Sequence, residues 1–343
     1  MRKSLFLILL VFAGCDSPAT TTAKKYESLS GETMGTTYSI KYVSPVLPSE
    51  LTSEVVGTEI QNTLELVNRQ MSNWLPDSEI SRFNSSESTD WFEVSPETAK
   101  VLATARQISE QTESAFDVTV APLIELWGFG SSGRSKEPPT DEQLHALADQ
   151  IGWEKLEVRT DSPALKKSHP ELSANLSAIA KGYGVDAVAE NLERLGIESY
   201  LVEIGGEIRV KGTKRDGSVW TVGVESPFES TREVKHAIPL TDAALATSGD
   251  YRNFIERNGK KYSHTIDPRT LKPIEHSLAS VSVIADTCME ADALATGLMV
   301  MGPETGYNYS EERGIPVLMM IHAEDGFTEQ ATSAWKARFG ELR

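Results

Sequence analysis

The segment from residue 174 to 212, ANLSAIAKGYGVDAVAENLERLGIESYLVEIGGEIRVKG, restricts the fold more than any other part of the chain. After a glycine-broken turn, apolar residues recur at steps of three and four: Val185, Val188, Leu192 and Leu195. This spacing predicts an amphipathic helix, and a glycine directly after it, Gly196, is typical of a helix C-terminus. An apolar strand that ends at two glycines follows within a few residues.

Short strands are predicted after this helix at residues 200–204, 207–211 and 219–224. They are joined by Gly205-Gly206 and Asp216-Gly217, which are hairpin turn signals. We therefore expect the helix to pack on an antiparallel meander. Elsewhere the chain predicts a strand at 37–43, a helix at 54–71 and a helix at 96–111 begun by Ser95. Because no strict βαβ order emerges, an α+β fold with a largely antiparallel or mixed sheet is favoured over a doubly wound parallel sheet.

The N-terminus predicts export and a lipid anchor. Arg2 and Lys3 precede an apolar run at residues 5–12, which is too short to span a membrane, and small residues stand before Cys15. This order resembles a bacterial lipoprotein signal, so we expect residues 1–14 to be removed and Cys15 to be lipidated. Asp16 resembles a retention signal for the inner membrane, which implies a location on its periplasmic side. An ordinary secretory signal, cut nearby, is the alternative.

Residues 15–25 have the composition of a solvated tether, and we expect residues 26–343 to form one large domain or two intimately packed lobes. The formal charge is −17, and without Arg2 and Lys3 it is −19, with 31 basic against 50 acidic residues. Such a surface disfavours nucleic acid as a partner. If Cys15 is lipidated, only Cys288 remains. An intramolecular disulfide is then excluded.

The turn AIAKGYG, which carries Lys181, is a candidate anion site. Unpaired backbone N–H groups at a helix N-terminus attract phosphate, and a nearby lysine adds to the attraction. However, the turn matches neither GxxxxGK[ST] nor GxGxxG. Taken alone, a tight turn with a surface lysine is the better explanation of this motif.

Eight blocks along the chain together resemble the ApbE family of FAD:protein FMN transferases. They are ETMGTTYSIKY (32–42), MSNWLPDSEISRFN (71–84), AFDVTVAPLIELWGFG (115–130), NLSAIAKGYGVD (175–186), LVEIGGEIRVKG (201–212), ATSGDYRNF (246–254), YSHTIDPRT (262–270) and EADALATGLMVMG (290–302). The resemblance implies an ApbE-like fold with a flavin cleft between two packed lobes. It also implies binding of FAD with Mg²⁺, and transfer of FMN to a threonine hydroxyl with release of AMP.

A metal site follows from the same resemblance. Asp292 and Thr296 lie four residues apart in a predicted helix, so their oxygens project from one face. The family's ligands carry over to these two side chains and to the main-chain carbonyl of Ala178. Oxygen ligands suit a hard cation such as Mg²⁺. A capped or solvated helix face is the ordinary explanation of an isolated DxxxT.

The resemblance also implies a flavin pocket. Its positions carry over to Met34, Trp74, Ala115, Phe116, Asp117, Asn175, Lys181 and Ile266. Without the resemblance, Trp74 and Phe116 would be assigned to the core. Asn175 replaces the usual aspartate, and Leu271 replaces a common glycine. We expect the first change to alter a ligand contact and the second to alter only a turn.

His264 is the predicted proton acceptor, because a neutral imidazole can take a hydroxyl proton near neutral pH. Asp267 either orients His264 or begins the Asp-Pro turn. No GxSxG motif indicates a serine hydrolase, and nothing around Cys288 indicates a nucleophile.

Three functions remain open at this point. They are the flavin transferase, an FAD pyrophosphatase that forms FMN and AMP, and a lipoprotein that only binds or stores flavin. For the transferase, the expected partners are FAD and periplasm-facing, flavin-accepting subunits of membrane electron-transport complexes.

Overall fold

The computed structural model describes residues 26–44, 51–130, 137–227, 234–250, 254–257 and 260–342. The predicted signal peptide, Cys15 and the tether at 15–25 lie outside these ranges, and their assignments stay predictions. Among the described residues, no helix is both long and apolar enough to cross a bilayer.

The helices of the described ranges are α1 (Ser53–Met71), α2 (Glu79–Ser85), α3 (Pro96–Gln111), α4 (Ala121–Trp127), α5 (Asp141–Leu147), α6 (Ala180–Arg194), α7 (Cys288–Glu312) and α8 (Ser333–Phe339). The three helices predicted from the sequence, α1, α3 and α6, are confirmed. Ser95 caps α3 by accepting from the N–H of Thr98 at 3.3 Å. Gly196 follows α6 with φ +78°, a conformation that favours glycine.

The strands are β1 (Glu27–Thr33), β2 (Thr36–Tyr42), β3 (Phe92–Glu93), β4 (Leu156–Arg159), β5 (Ala164–Lys167), β6 (Tyr200–Ile204), β7 (Glu207–Lys211), β8 (Trp220–Glu225), β9 (Val234–Leu240), β10 (Ala243–Gly249), β11 (Phe254–Arg257), β12 (Lys260–Ser263), β13 (Ile266–Asp267), β14 (Lys272–Pro273), β15 (Leu278–Ala285), β16 (Val317–Ala323) and β17 (Gly326–Ala331). Eight of them form the main sheet, in the order β1-β2-β6-β7-β10-β15-β16-β17. Its neighbouring strands all run antiparallel, which confirms the predicted α+β class.

The meander predicted after α6 is confirmed for two strands and wrong for the third. The β6–β7 hairpin turns at Gly205 and Gly206, with φ +60° and +105°. β8 forms, but it pairs with β9 in a separate two-stranded sheet, while β10 occupies the free edge of β7. The alternating apolar side chains of β8 explain this placement, because Trp220 and its neighbours pack onto the outer face of the main sheet.

The two faces of the main sheet bury different partners. On one face, side chains of β2 and β6 pack against apolar rows of α1 and α6. On the other face, β7, β8, β9 and α8 share a second cluster that contains Trp220 and Trp335. A third cluster joins α2 and α3 to α7 and β15, whereas apolar side chains of α4 and α5 form a separate cluster with Ile266. The organisation of residues 26–343 as one domain or as two packed lobes stays a prediction.

Candidate active site

A cavity of about 900 Å³ lies beside the N-terminus of α6. Its wall includes the main sheet at Glu207 and Thr247, α7 at Asp292, and the segment around Phe116 and Phe129. Every predicted site residue within the described ranges lines it: Met34, Trp74, Ala115, Phe116, Asp117, Asn175, Ala178, Lys181, His264, Ile266, Asp292 and Thr296. Segments far apart in sequence thus converge on one space whose volume suits a ligand of cofactor size.

The contact between α6 and α7 positions the predicted metal ligands. Asp292 is 3 % exposed, and its Oδ2 accepts from the N–H of Gly182 at 2.9 Å. A side chain at Gly182 would collide with α7, since an ideal Cβ there lies 2.4 Å from the carbonyl oxygen of Cys288. One turn after Asp292, the hydroxyl of Thr296 lies 3.2 Å from Ser248 Oγ. The glycine therefore permits the close approach that places Asp292 at the start of α6.

Asp186 anchors the N-terminus of α7, which carries Asp292. Its Oδ1 accepts from the N–H of Cys288 at 3.0 Å, and its Oδ2 accepts from the N–H of Met289 at 2.9 Å. Arg209 donates to Oδ1 at 2.8 Å and balances the charge. A negative charge at a helix N-terminus is favoured, so this pair fixes α7 against α6 and β7.

Lys181 and Glu207 form an ion pair in the cavity wall. Glu207 is 3 % exposed, and its Oε2 is buried without a hydrogen-bond partner. Burial raises the pKa of Glu207 to about 7, against the opposing charge of Lys181 and with the help of Asp292. Burial works against the charged form of Lys181, but the carboxylates of Glu207 and Asp292 outweigh it and raise its pKa. The carboxylates of Glu207 and Asp292 thus both stabilise the charged form of Lys181.

The donor set fits a hard cation. The described part of the chain has no group of three or more His, Cys, Asp or Glu residues suited to a metal. A site here would combine the carboxylate of Asp292, the hydroxyl of Thr296 and a backbone carbonyl, which are oxygen ligands typical of Mg²⁺. Burial also raises the pKa of Asp292, and a bound cation would favour its charged form.

Two asparagines hold the loop before α6, and sequence reasoning missed both. Asn73 donates to the carbonyl of Ala174 at 2.8 Å and accepts from the N–H of Leu176 at 3.0 Å. Asn84 makes the same kind of paired contact with Ala174, at 2.8 Å in both directions. Both residues belong to the block MSNWLPDSEISRFN (71–84). Amide side chains in a block that contributes to the candidate site were the sequence feature that could have indicated them. They fix the backbone that leads to Asn175 and Ala178.

Asn175 and Asp117 have structural partners of their own. The Oδ1 of Asn175 accepts from the N–H and the hydroxyl of Ser177, at 2.9 and 2.6 Å. Asp117 accepts from Thr119 through Oδ1 and from the N–H of Trp153 through Oδ2. Burial raises the pKa of Asp117. Both residues line the cavity and also brace its wall, so their contacts with a flavin stay predictions.

The aromatic residues of the predicted flavin pocket differ in exposure. Trp74 is 69 % exposed and lies at the rim of the cavity, whereas Phe116 is 1 % exposed and belongs to the core. Met34 lies in the β1–β2 turn with φ +50°, and its side chain reaches the surface of α6 at Gly184. Trp74 is therefore the ring available to cover a flat ligand, while Phe116 provides a fixed wall.

His264 lies at the cavity with its ring edge-on to Phe129, the ring centres being 6.4 Å apart. The carboxylate of Asp267 accepts from the backbone N–H and from the guanidinium of Arg269, each at 2.9 Å. These contacts belong to the Asp-Pro turn, and the orientation of His264 by Asp267 stays a prediction. Leu271 keeps this turn intact in a left-handed conformation, with φ +64° and its N–H 2.8 Å from the carbonyl of Asp267.

A family model described as the ApbE family matches residues 34–319. The chain belongs to the ApbE family. Among curated relatives of this ApbE chain, the FAD:protein FMN transferase of Vibrio cholerae serotype O1 (strain ATCC 39541 / Classical Ogawa 395 / O395) is 49 % identical over 328 residues, which is 96 % of each protein. The protein of the same name from Haemophilus influenzae is 42 % identical and covers 98 % of both chains.

Solved structures agree with this assignment. The structure named Flavin Transferase ApbE from Vibrio cholerae superposes with a TM-score of 0.83 at 48 % identity, over 92 % of this chain and 99 % of that one. The apo form of the Pseudomonas stutzeri flavinyl transferase ApbE superposes with a TM-score of 0.85 at 37 % identity, over 93 % and 98 % of the two chains. The ApbE-like fold expected from the sequence is confirmed.

Proposed function

We propose that this protein is an FAD:protein FMN transferase that moves FMN from FAD to a threonine hydroxyl of a target protein. One observation carries the proposal. The flavin, metal and proton-acceptor residues implied by the family all line a single cavity in the described part of the chain. The near full-length similarity to curated proteins with this activity supports the same function.

The reaction needs an attacking hydroxyl and a neutralised pyrophosphate. The threonine oxygen bonds to the flavin-side phosphorus while the pyrophosphate P–O bond breaks, and AMP leaves. His264 accepts the hydroxyl proton. Asp292, Thr296 and the carbonyl of Ala178 would hold Mg²⁺, which when bound would neutralise the pyrophosphate and polarise it as a Lewis acid. Lys181 adds a positive charge near the phosphates.

The proposal also includes where the protein acts and which proteins accept the flavin. A lipid on Cys15 would place the protein on the periplasmic side of the inner membrane, and the acidic surface disfavours nucleic acid as a partner. Flavin-accepting subunits of membrane electron-transport complexes are the acceptors within reach of such an anchor. Intact-mass analysis of the protein from membranes tests the anchor: wild type should carry a lipid and Cys15→Ser should not.

The activity is tested with FAD, Mg²⁺ and a candidate acceptor domain that contains a threonine site, with both protein and nucleotide products weighed. We expect an FMN-bearing acceptor and AMP. Free FMN with AMP and an unmodified acceptor would instead indicate the pyrophosphatase. Bound FAD without any product would indicate flavin storage.

Two substitutions separate catalysis from binding. Asp292→Ala should slow transfer at least about a hundredfold, or roughly 2.7 kcal/mol, because a bound cation stabilises the leaving AMP oxygen more than it stabilises bound FAD. His264→Ala should slow transfer but leave Mg²⁺-dependent FAD binding intact. Asp325→Ala and His145→Ala, both exposed, are matched controls. Transfer at the wild-type rate by Asp292→Ala, or full activity after chelation of divalent cations, would refute the metal site.

A further inference from the structure

Glu207 is a buried carboxylate that the proposed chemistry does not require. It is the first residue of β7, opposite Ile204, whose side chain packs on the helix-bearing face of the sheet. This register turns Glu207 towards α6 and into the cavity wall. A negative charge there repels a pyrophosphate, and burying it costs free energy. Its presence therefore needs a reason.

The partner of Glu207 supplies that reason. Lys181 pairs with Glu207 Oε1, and the next residue, Gly182, donates its N–H to Asp292 Oδ2 at 2.9 Å. Lys181 therefore precedes the residue that contacts Asp292, and both Lys181 and Asp292 line the same cavity. A lysine side chain is a flexible point charge, so it can pair with either carboxylate. If Lys181 paired with Asp292, a cation would have to displace it.

We propose that Glu207 is a positioning residue that binds the Lys181 ammonium and thereby keeps the Asp292 carboxylate free for a divalent cation. The inference rests on the proposed metal site and deepens it. Glu207 acts through Lys181 and touches neither substrate nor cation. In its absence, Lys181 pairs with Asp292 and competes with the metal.

A double-mutant cycle on cation affinity tests the inference. The purified protein and its variants are titrated with Mn²⁺ alone at pH 8, and free Mn²⁺ is followed by electron paramagnetic resonance. We expect Glu207→Gln to weaken Mn²⁺ binding about tenfold, in the range of coupling between charged neighbours. Glu207→Asp, which retains a carboxylate, should recover most of the affinity. Glu203→Gln removes a charge from the adjacent strand β6 of the same hairpin and should change the affinity less than about threefold.

The Lys181→Met background decides between explanations. If Glu207 acts by holding Lys181, then Glu207→Gln should have little effect once Lys181 is absent, so the double variant should bind within about threefold of Lys181→Met alone. An equal tenfold loss in both backgrounds would mean that Glu207 ligates the cation or acts through its field, and would overturn the inference. So would unchanged affinity in Glu207→Gln.

Different results would refute the metal site and the positioning role of Glu207. Wild type that binds no Mn²⁺ would refute the metal site and the inference with it. If wild type binds Mn²⁺ but the effects of Glu207→Gln and Lys181→Met on affinity are additive, only the role of Glu207 is refuted. Urea unfolding of each variant identifies any that is misfolded. If Glu207→Gln is misfolded, the test uses Glu207→Asp instead. A loss of Mn²⁺ affinity of tenfold or more in Glu207→Asp would then count against the inference.

Discussion

Replacing Gly182 with alanine should separate α6 from α7 at the predicted metal site. The added Cβ would lie 2.4 Å from the carbonyl oxygen of Cys288 and 2.8 Å from the Cβ of Asp292. Ordinary contacts begin at 3.4 Å, so the helices must move apart by about 1 Å. Overpacking of this kind costs about 1–3 kcal/mol, and the better helix propensity of alanine offsets about 1 kcal/mol of it.

The shift should harm activity more than stability. Asp292 accepts from the N–H of Gly182, so the collision displaces the carboxylate itself. A misplacement of about 1 Å in a catalytic group can lower the rate about a hundredfold. We therefore expect Gly182→Ala to unfold in urea at a slightly lower midpoint and to transfer FMN about a hundredfold more slowly.

Gly57→Ala in α1 is the matched control. The nearest atoms to its added Cβ, in Leu29, lie 3.9 Å away, so this variant should keep full activity and gain up to about 1 kcal/mol from helix propensity. The reasoning would be refuted if Gly182→Ala matched Gly57→Ala in both transfer rate and urea midpoint.

Three further predictions follow from exposure and burial. Trp74→Ala should leave stability within about 0.5 kcal/mol because the ring is exposed, yet weaken FAD binding about tenfold in a fluorescence titration; unchanged affinity would remove Trp74 from the flavin site. Asp186→Ala should lower the free energy of unfolding in urea by about 3 kcal/mol, since it leaves Arg209 without this carboxylate partner and removes the acceptor of two N–H groups at the start of α7; a loss below about 1 kcal/mol would contradict that role. The raised pKa of Glu207 means that the folded protein keeps a proton which the unfolded chain has already lost, so between about pH 4.5 and 7 its contribution to stability should fall as pH rises, by up to about 3 kcal/mol. Urea unfolding at several pH values should show this slope in wild type but not in Glu207→Gln, and parallel slopes would contradict it.

Local signals in the chain account for the elements that were predicted correctly. The β6–β7 hairpin depends on two glycines that adopt positive φ, and α3 depends on the Ser95 cap and an apolar row of its own. β8 also formed as predicted, because alternation is local. Its partner was predicted wrongly, because β10, distant in sequence, takes the edge of β7.

The candidate site divides in the same way. Asp292 and Thr296 could be placed on one helix face from their spacing, and Lys181 at a helix start from the glycines around it. The pairing of Lys181 with Glu207, and the amide contacts of Asn73 and Asn84, could not be predicted. Those contacts join positions up to about a hundred residues apart, and no local pattern encodes which polar groups meet.

By itself, the sequence determined the local helices and strands and the acidic surface, because these depend on composition and on side chains within a few positions. It also determined the family and the residue types that the chemistry needs, because these depend on short sequence blocks and their order along the chain. Only the tertiary structure decided which strand joins which edge, how closely α6 approaches α7 at Gly182, and that Lys181 pairs with Glu207 in the cavity that Asp292 also lines. Packing at a Cβ and burial of a charge both depend on atoms contributed by remote segments. A pKa near 7 for Glu207 therefore exists only in the folded chain.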